Sequence, residues 1–174
     1  MEPLGIEFLK DRYDFELERK EKLTDALTLP IGVLTVLGSV LGAMAQSFSY
    51  RFPILTRIFV PFLIADILVF AGCLLYLARA YHSQTYIYLP TLKSLYVAKR
   101  ELREFYEASG MPSEDAAQEF TVSLEKRIIA AADANTENND RRSSLLHRSR
   151  IALFVILVLT ALAALPFVAD QVRK

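Results

Sequence analysis

Residues 151–169 read IALFVILVLTALAALPFVA, an uncharged run closed by Arg150 on one side and Asp170 on the other. A helix rises 1.5 Å per residue, so about 20 apolar residues cross a hydrocarbon core of ~30 Å. Two further stretches qualify. Residues 26–50, ALTLPIGVLTVLGSVLGAMAQSFSY, carry no charge, and residues 58–78, IFVPFLIADILVFAGCLLYLA, carry only Asp66. A soluble core helix is seldom apolar on every side, and none of the runs alternates with period two as barrel strands do. The expected fold class is all-α: an integral membrane protein with three transmembrane helices and a cytoplasmic helical bundle. The expected organisation is an amphipathic helix over 1–25, spans at 26–50 and 58–78, a cytoplasmic helical region over 79–150, a third span at 151–169 and a short external tail at 170–174.

The 174 residues are 53% apolar, with 20 Lys and Arg against 20 Asp and Glu. That balance hides a segregation, because nearly all the charges lie between the three runs. A net charge of zero gives no bulk electrostatic support for nucleic acid as a partner, and none is expected. The single cysteine, Cys73, lies inside an apolar run. It excludes an intrachain disulfide and a cysteine-based metal site, and reads as a small hydrophobe. His82 and His147 are far apart and have no ligand neighbour at metal spacing. Phosphate loops, dinucleotide glycine patterns and nucleophile elbows are missing. No catalytic residue, metal or cofactor is expected.

Lys and Arg near the span ends set the orientation. Lys10, Arg12, Arg19, Lys20 and Lys22 precede the first span; only Arg51 and Arg57 separate the first two. Arg79, Lys93, Lys99, Arg100, Arg103, Arg141, Arg142, Arg148 and Arg150 lie between the second and third, and Arg173 and Lys174 follow the third. The N-terminus and the 79–150 region are therefore expected in the cytoplasm of a plasma (inner) membrane protein, with the Ser49–Arg57 turn and the C-terminus outside. The first apolar run begins after Glu7, Asp11, Asp14, Glu16, Glu18 and Glu21, unlike the basic start of a cleaved signal peptide. It is expected to remain as an anchor. Tyr76, Tyr81, Tyr86 and Tyr88 suit an interfacial aromatic belt at the inner face, and Phe48, Tyr50 and Phe52 one at the outer face.

Outside the spans, Leu9, Tyr13 and Leu17 recur every four residues on a helix expected over Leu4–Leu23, continuous with the first span. Its alternating charges read as a solvated, salt-bridged face. Pro90 breaks the chain. Leu92, Leu95, Tyr96, Leu102 and Tyr106 trace the next helical face, which Gly110 stops. Ser113 suits a helix cap, with Glu114 and Asp115 at the positive end. Ala117, Phe120, Leu124, Ile128 and Ala131 then share a face. The polar stretch DANTENNDRR, 133–142, contains neither Gly nor Pro and favours an uninterrupted helix into the third span over a loop. Asn135, Asn138 and Asn139 within it are either a cytoplasmic interface lock, since amide side chains pair well in bundles, or a solvated patch.

Within the spans, Asp66 stands out. A carboxylate at membrane depth is costly and faces a protein interior or water. It lies about eight residues, or roughly 12 Å, below the outer end of its helix. Thr160 and Ser39 come at similar depth in the other two spans, so the three form a candidate polar layer. It is either a proton or ion site or a pore-lining group, or else Asp66 is protonated or hydrogen-bonded to Thr160, Ser39 or a neighbouring subunit as interhelical glue. Gly38 and Gly42 form a GxxxG that permits close helix approach, within one chain or between copies. Pro30 is expected to kink the first span near its inner end. Ala161, Ala164 and Pro166 give the third a thin face.

The order of parts resembles the SLATT domain, a two-transmembrane effector family found beside nucleotide-second-messenger defence genes in bacteria. A charged helix, LKDRYDFELERKEKL, enters span one directly. A short external turn follows, and the aromatic, charged LKSLYVAKRELREFYEASG comes after span two. The third span is additional to that pattern. The resemblance implies an oligomerising membrane effector that perforates or depolarises the inner membrane on a signal, in antiphage defence. Its implied partners are the lipid bilayer, further copies of the chain (a homo-oligomer) and a soluble sensor protein. It carries no catalytic residues. The alternative is a non-catalytic scaffold that anchors a soluble partner.

Overall fold

The computed structural model describes residues 5–82 and 85–173. Among them all regular structure is helical: α1 (Ile6–Asp25), α2 (Thr28–Ser47), α3 (Pro53–His82), α4 (Leu92–Ala108) and α5 (Ser113–Val172). Three helical stretches, Ile6–Ser47, Pro53–His82 and Ser113–Val172, are long and apolar enough to cross a membrane. The chain divides into two compact units. One comprises Met1–Glu21 and Thr85–Asp140, the other Lys22–Gln84 and Arg141–Lys174.

In the charged unit, Leu9 and Tyr13 of α1 are buried with Ile128, Ala131 and Ala132 of α5. Leu17, Leu89 and Leu124 pack around them. The four-residue spacing read in α1 is therefore its buried stripe, although Leu4, the expected start, lies outside the described residues. At the start of α5, Ala116 rather than the expected Ala117 is buried. Residues 85–91 are irregular until Thr91, whose side chain accepts from the Ser94 N–H at 3.3 Å and caps α4. Gly110, at φ +68°, ends α4 in the left-handed region that favours glycine. Ser113, expected as a cap, is itself the first residue of α5, and the Asp115 N–H bonds to the Pro112 carbonyl at 3.2 Å.

In the apolar unit, one cluster joins Leu34 of α2, Cys73, Leu77 and Ala80 of α3, and Leu146 and Ile156 of α5. A second, toward the α2–α3 turn, joins Met44, Phe48, Phe59 and Ala163. Phe48 and Phe59 stack with centroids 4.2 Å apart and planes 6° from parallel. Several expected boundaries shift. A two-residue turn at Ala26–Leu27 separates α1 from α2, but Leu27 keeps helical angles (φ −76°, ψ −27°) and backbone bonds run across the junction, from Ala26 N–H to Lys22 and from Ile31 N–H to Leu27. Pro30 lies next to this interruption, where its missing N–H leaves the ladder one bond short. Span one ends at Ser47, and Phe48 turns extended. The second helix starts at Pro53, a position Pro favours, and runs to His82, so the 51–57 turn already contains its first helical turn. The DANTENNDRR stretch is helix, and α5 continues through the expected tail to Val172.

Buried positions on α5 recur in a seven-residue pattern. Asn135, Arg142, Ser149, Ile156, Ala163 and Asp170 form one series, and Ala132, Asn139, Leu146 and Thr160 fall on another. Alternating steps of three and four keep one face of a helix against its neighbours. Here more than half of the positions named are polar, which sets the chemistry described next.

Candidate functional site

Each polar member of the α5 series meets a specific partner. Thr160 donates its hydroxyl to Asp66 Oδ2 at 2.8 Å, joining α5 to α3. Asp66 is fully buried, and its Oδ1 has no hydrogen-bond partner. Ser39, expected in the same layer, is absent from it: it is exposed and donates to the Thr35 carbonyl of its own helix at 2.9 Å. Depth along a helix does not fix direction around it. Ser39 is two residues, about 200° of rotation, from the buried Leu41. Of the expected thin face on α5, Pro166 is buried and Ala164 packs half-buried against the cluster around Ala163, while Ala161 is exposed.

The two glycines of the GxxxG differ. A Cβ at Gly38 would meet the Phe70 ring at 3.2 Å, so Gly38 serves the α2–α3 contact within the chain. A Cβ at Gly42 would meet nothing within 4 Å. Both glycines line an open groove of about 250 Å³ with Leu41, Ala45, Leu63, Ile67 and Phe70.

At the other end of the α5 series, Asp170 is buried and accepts from the Ser49 N–H at 2.9 Å and from the Ser49 hydroxyl. Gln171 donates to the Ser47 carbonyl at 2.8 Å. Together they hold the non-helical turn after α2, in which Tyr50 takes φ +55°. Arg142, also buried, donates to the Ala80 carbonyl at 3.1 Å and to the Thr24 hydroxyl at 3.0 Å.

In the charged unit the three asparagines fasten the 85–89 segment. Asn135 is fully buried. Its Nδ2 donates to the Ile87 carbonyl at 3.0 Å, and its Oδ1 accepts from the Ile87 N–H at 2.9 Å. Asn138, half-buried, donates to the Thr85 carbonyl at 2.7 Å in a solvent-exposed bond. Asn139, fully buried, donates to Glu16 and accepts from the Tyr86 hydroxyl at 2.7 Å. Asn135 and Asn139 are thus locks inside one chain rather than a solvated patch. Glu16 departs from the solvated face expected of α1. It is fully buried and held by Arg12 at 2.9 Å and Arg19 at 3.5 Å, with Arg19 continuing to Asp140 at 2.6 Å. Tyr88, expected in the aromatic belt, accepts from Lys20 at 2.6 Å.

The sequence reading missed Glu16, Arg142, Ser149 and Asp170. The signal available for the last three was the seven-residue spacing from Asn135. Against α5, α4 keeps no residue fully buried. Leu95, Ala98 and Leu102 face Phe120 and Leu124 across a shallow groove. Tyr106 donates its hydroxyl to Glu119, a bond that holds the phenol above its ordinary pKa. No cluster of three or more His, Cys, Asp or Glu at metal-binding distance occurs among the described residues.

No protein-family profile, curated protein or solved structure matches the chain. The class defined by the fold is an all-α chain with three helices able to cross a membrane.

Two outcomes test this geometry. Thr160→Val removes the donor to a buried carboxylate and should destabilise the chain by about 1–3 kcal/mol in detergent unfolding, whereas Thr160→Val with Asp66→Leu should recover most of that loss. A purely additive double variant would contradict the pairing. Asn135→Ala should cost a similar ~1–3 kcal/mol and speed amide exchange at Ile87. Asn138→Ala, at an exposed bond, should cost under about 1 kcal/mol.

Proposed function

We propose that the chain is a membrane-embedded effector or sensor subunit of a bacterial inner membrane, which oligomerises through its spans and depolarises the membrane when a partner signals. Antiphage defence is the setting suggested by the SLATT resemblance. The observation that carries this reading is the open groove at Gly42, bordered by Ala45 and apolar side chains, a small-residue surface of the kind against which a second helix packs closely. The excess of Lys and Arg before span one and between spans two and three supports a cytoplasmic N-terminus and charged unit, with the C-terminus outside. On that cytoplasmic side α4 keeps Leu92 and Tyr96, one turn apart on the same face, exposed at 85% and 71%. Such a face suits a soluble sensor protein. No reacting constellation supports an enzyme.

A passive scaffold is the second reading, and one observation favours it. The carboxylate Asp66 is turned inward to Thr160 within a single chain, which suits interhelical packing better than an ion path.

Ion flux from liposomes separates the two. The wild-type chain, reconstituted at rising density, should self-associate and leak. Gly42→Leu should reduce both by tenfold or more while leaving helix content unchanged. Gly38→Leu is a poorer probe, because it also strikes Phe70. Self-association without leak at any density would leave the scaffold.

A further inference from the structure

A second groove, of about 270 Å³, lies between the start of α2 and the middle of α5. Leu29, Pro30 and Val33 line it from one helix, and Leu153, Phe154 and Leu157 from the other, with Arg150 at one end. The spacings on both helices are those of a single helical face. Leu29, Phe154 and Leu157 are 75%, 68% and 53% exposed, so the chain itself does not fill the groove. Arg150 is exposed and makes no ion pair among the described residues. It immediately precedes the uncharged 151–169 run, which places a fixed cation where that run begins. From Arg150 to Leu157 the groove extends about 10 Å along α5.

We infer that this groove binds an anionic glycerophospholipid, with the phosphate on Arg150 and part of one acyl chain against Leu29, Val33, Phe154 and Leu157. The inference rests on the membrane reading of span three. Charge complementarity selects the occupant. The lining is apolar apart from one guanidinium, and a guanidinium binds phosphate oxygens through paired N–H donors. The groove is smaller than the roughly 300–1,000 Å³ of a site that encloses a whole drug-sized ligand, so it takes one chain and leaves the remainder of the lipid in the bilayer. A second copy of this chain would place no complementary charge against Arg150 unless it brought an acidic residue into the hydrocarbon boundary. A lipid headgroup supplies that charge at the required depth.

The test uses the full chain purified in neutral detergent, with retained lipid measured by native mass spectrometry after addition of phosphatidylglycerol, phosphatidylcholine or inorganic phosphate. Wild type should retain phosphatidylglycerol about fivefold better than phosphatidylcholine, the size of one cation near an anionic headgroup. Arg150→Gln should abolish that preference and Arg150→Lys should keep part of it. Val33→Trp, which fills the groove, should reduce retention of both lipids. Equal retention of the two lipids by wild type, or an unchanged preference in Arg150→Gln, would overturn the site. So would binding of inorganic phosphate as strong as that of the lipid, since the groove would then contribute nothing. Vesicle flotation of the same variants keeps the premise separate. Chains that fail to float refute the membrane reading, and chains that float without lipid preference refute only the lipid site.

Discussion

A polar group taken out of water must find a partner, and α5 is where this chain meets that demand. Leaving a buried donor or acceptor unpaired costs about 1–3 kcal/mol. The buried face of α5 nevertheless carries Asn135, Asn139, Arg142, Ser149, Thr160 and Asp170. Each is answered: Asn135 by the Ile87 backbone, Asn139 by Glu16 and Tyr86, Arg142 by Ala80 and Thr24, Thr160 by Asp66, and Asp170 by Ser49. Ser149 donates to Leu146, and its carbonyl accepts from Cys73. Apolar seams tolerate sliding by a turn, because leucine against leucine is nearly the same one step along. Mixed polar pairs do not, since a shifted register strands both members.

That demand also explains what was readable beforehand. A long uncharged run has few ways to satisfy its own backbone other than a helix, so uncharged length reports helices directly, and three long apolar helices lie close to the expected positions. The Asp66–Thr160 pair was legible because a carboxylate inside an apolar run needs a neighbour and position along a helix can be counted. Ser39 was misplaced because counting depth ignores rotation. Span one was extended past Ser47 because Phe48, Ser49 and Tyr50 carry no charge, and hydropathy does not see that Asp170 holds them out of the helix.

The charged unit was harder to read. Glu16 sits in a run of alternating charges where nearly every residue favours solvent, and only the arrival of Asn139 and two arginines makes its burial tolerable. Its position alone marks it, three residues after Tyr13 and seven after Leu9 on the buried stripe of α1. The seven-residue series was visible in the letters, yet its members include an amide, a guanidinium, a hydroxyl and a carboxylate. A search for repeating hydrophobicity passes over such a series, although the geometric repeat is intact.

The asparagine clamp at Ile87 has an evolutionary corollary. Both hydrogen bonds from Asn135 go to the main chain of Ile87, its N–H and its carbonyl, and Ile87 is 47% exposed. Recognition there is blind to side-chain identity. Substitutions at 87 should therefore accumulate freely among descendants of this gene, while position 135 stays fixed, so variability in one and constancy in the other would trace the clamp through a lineage.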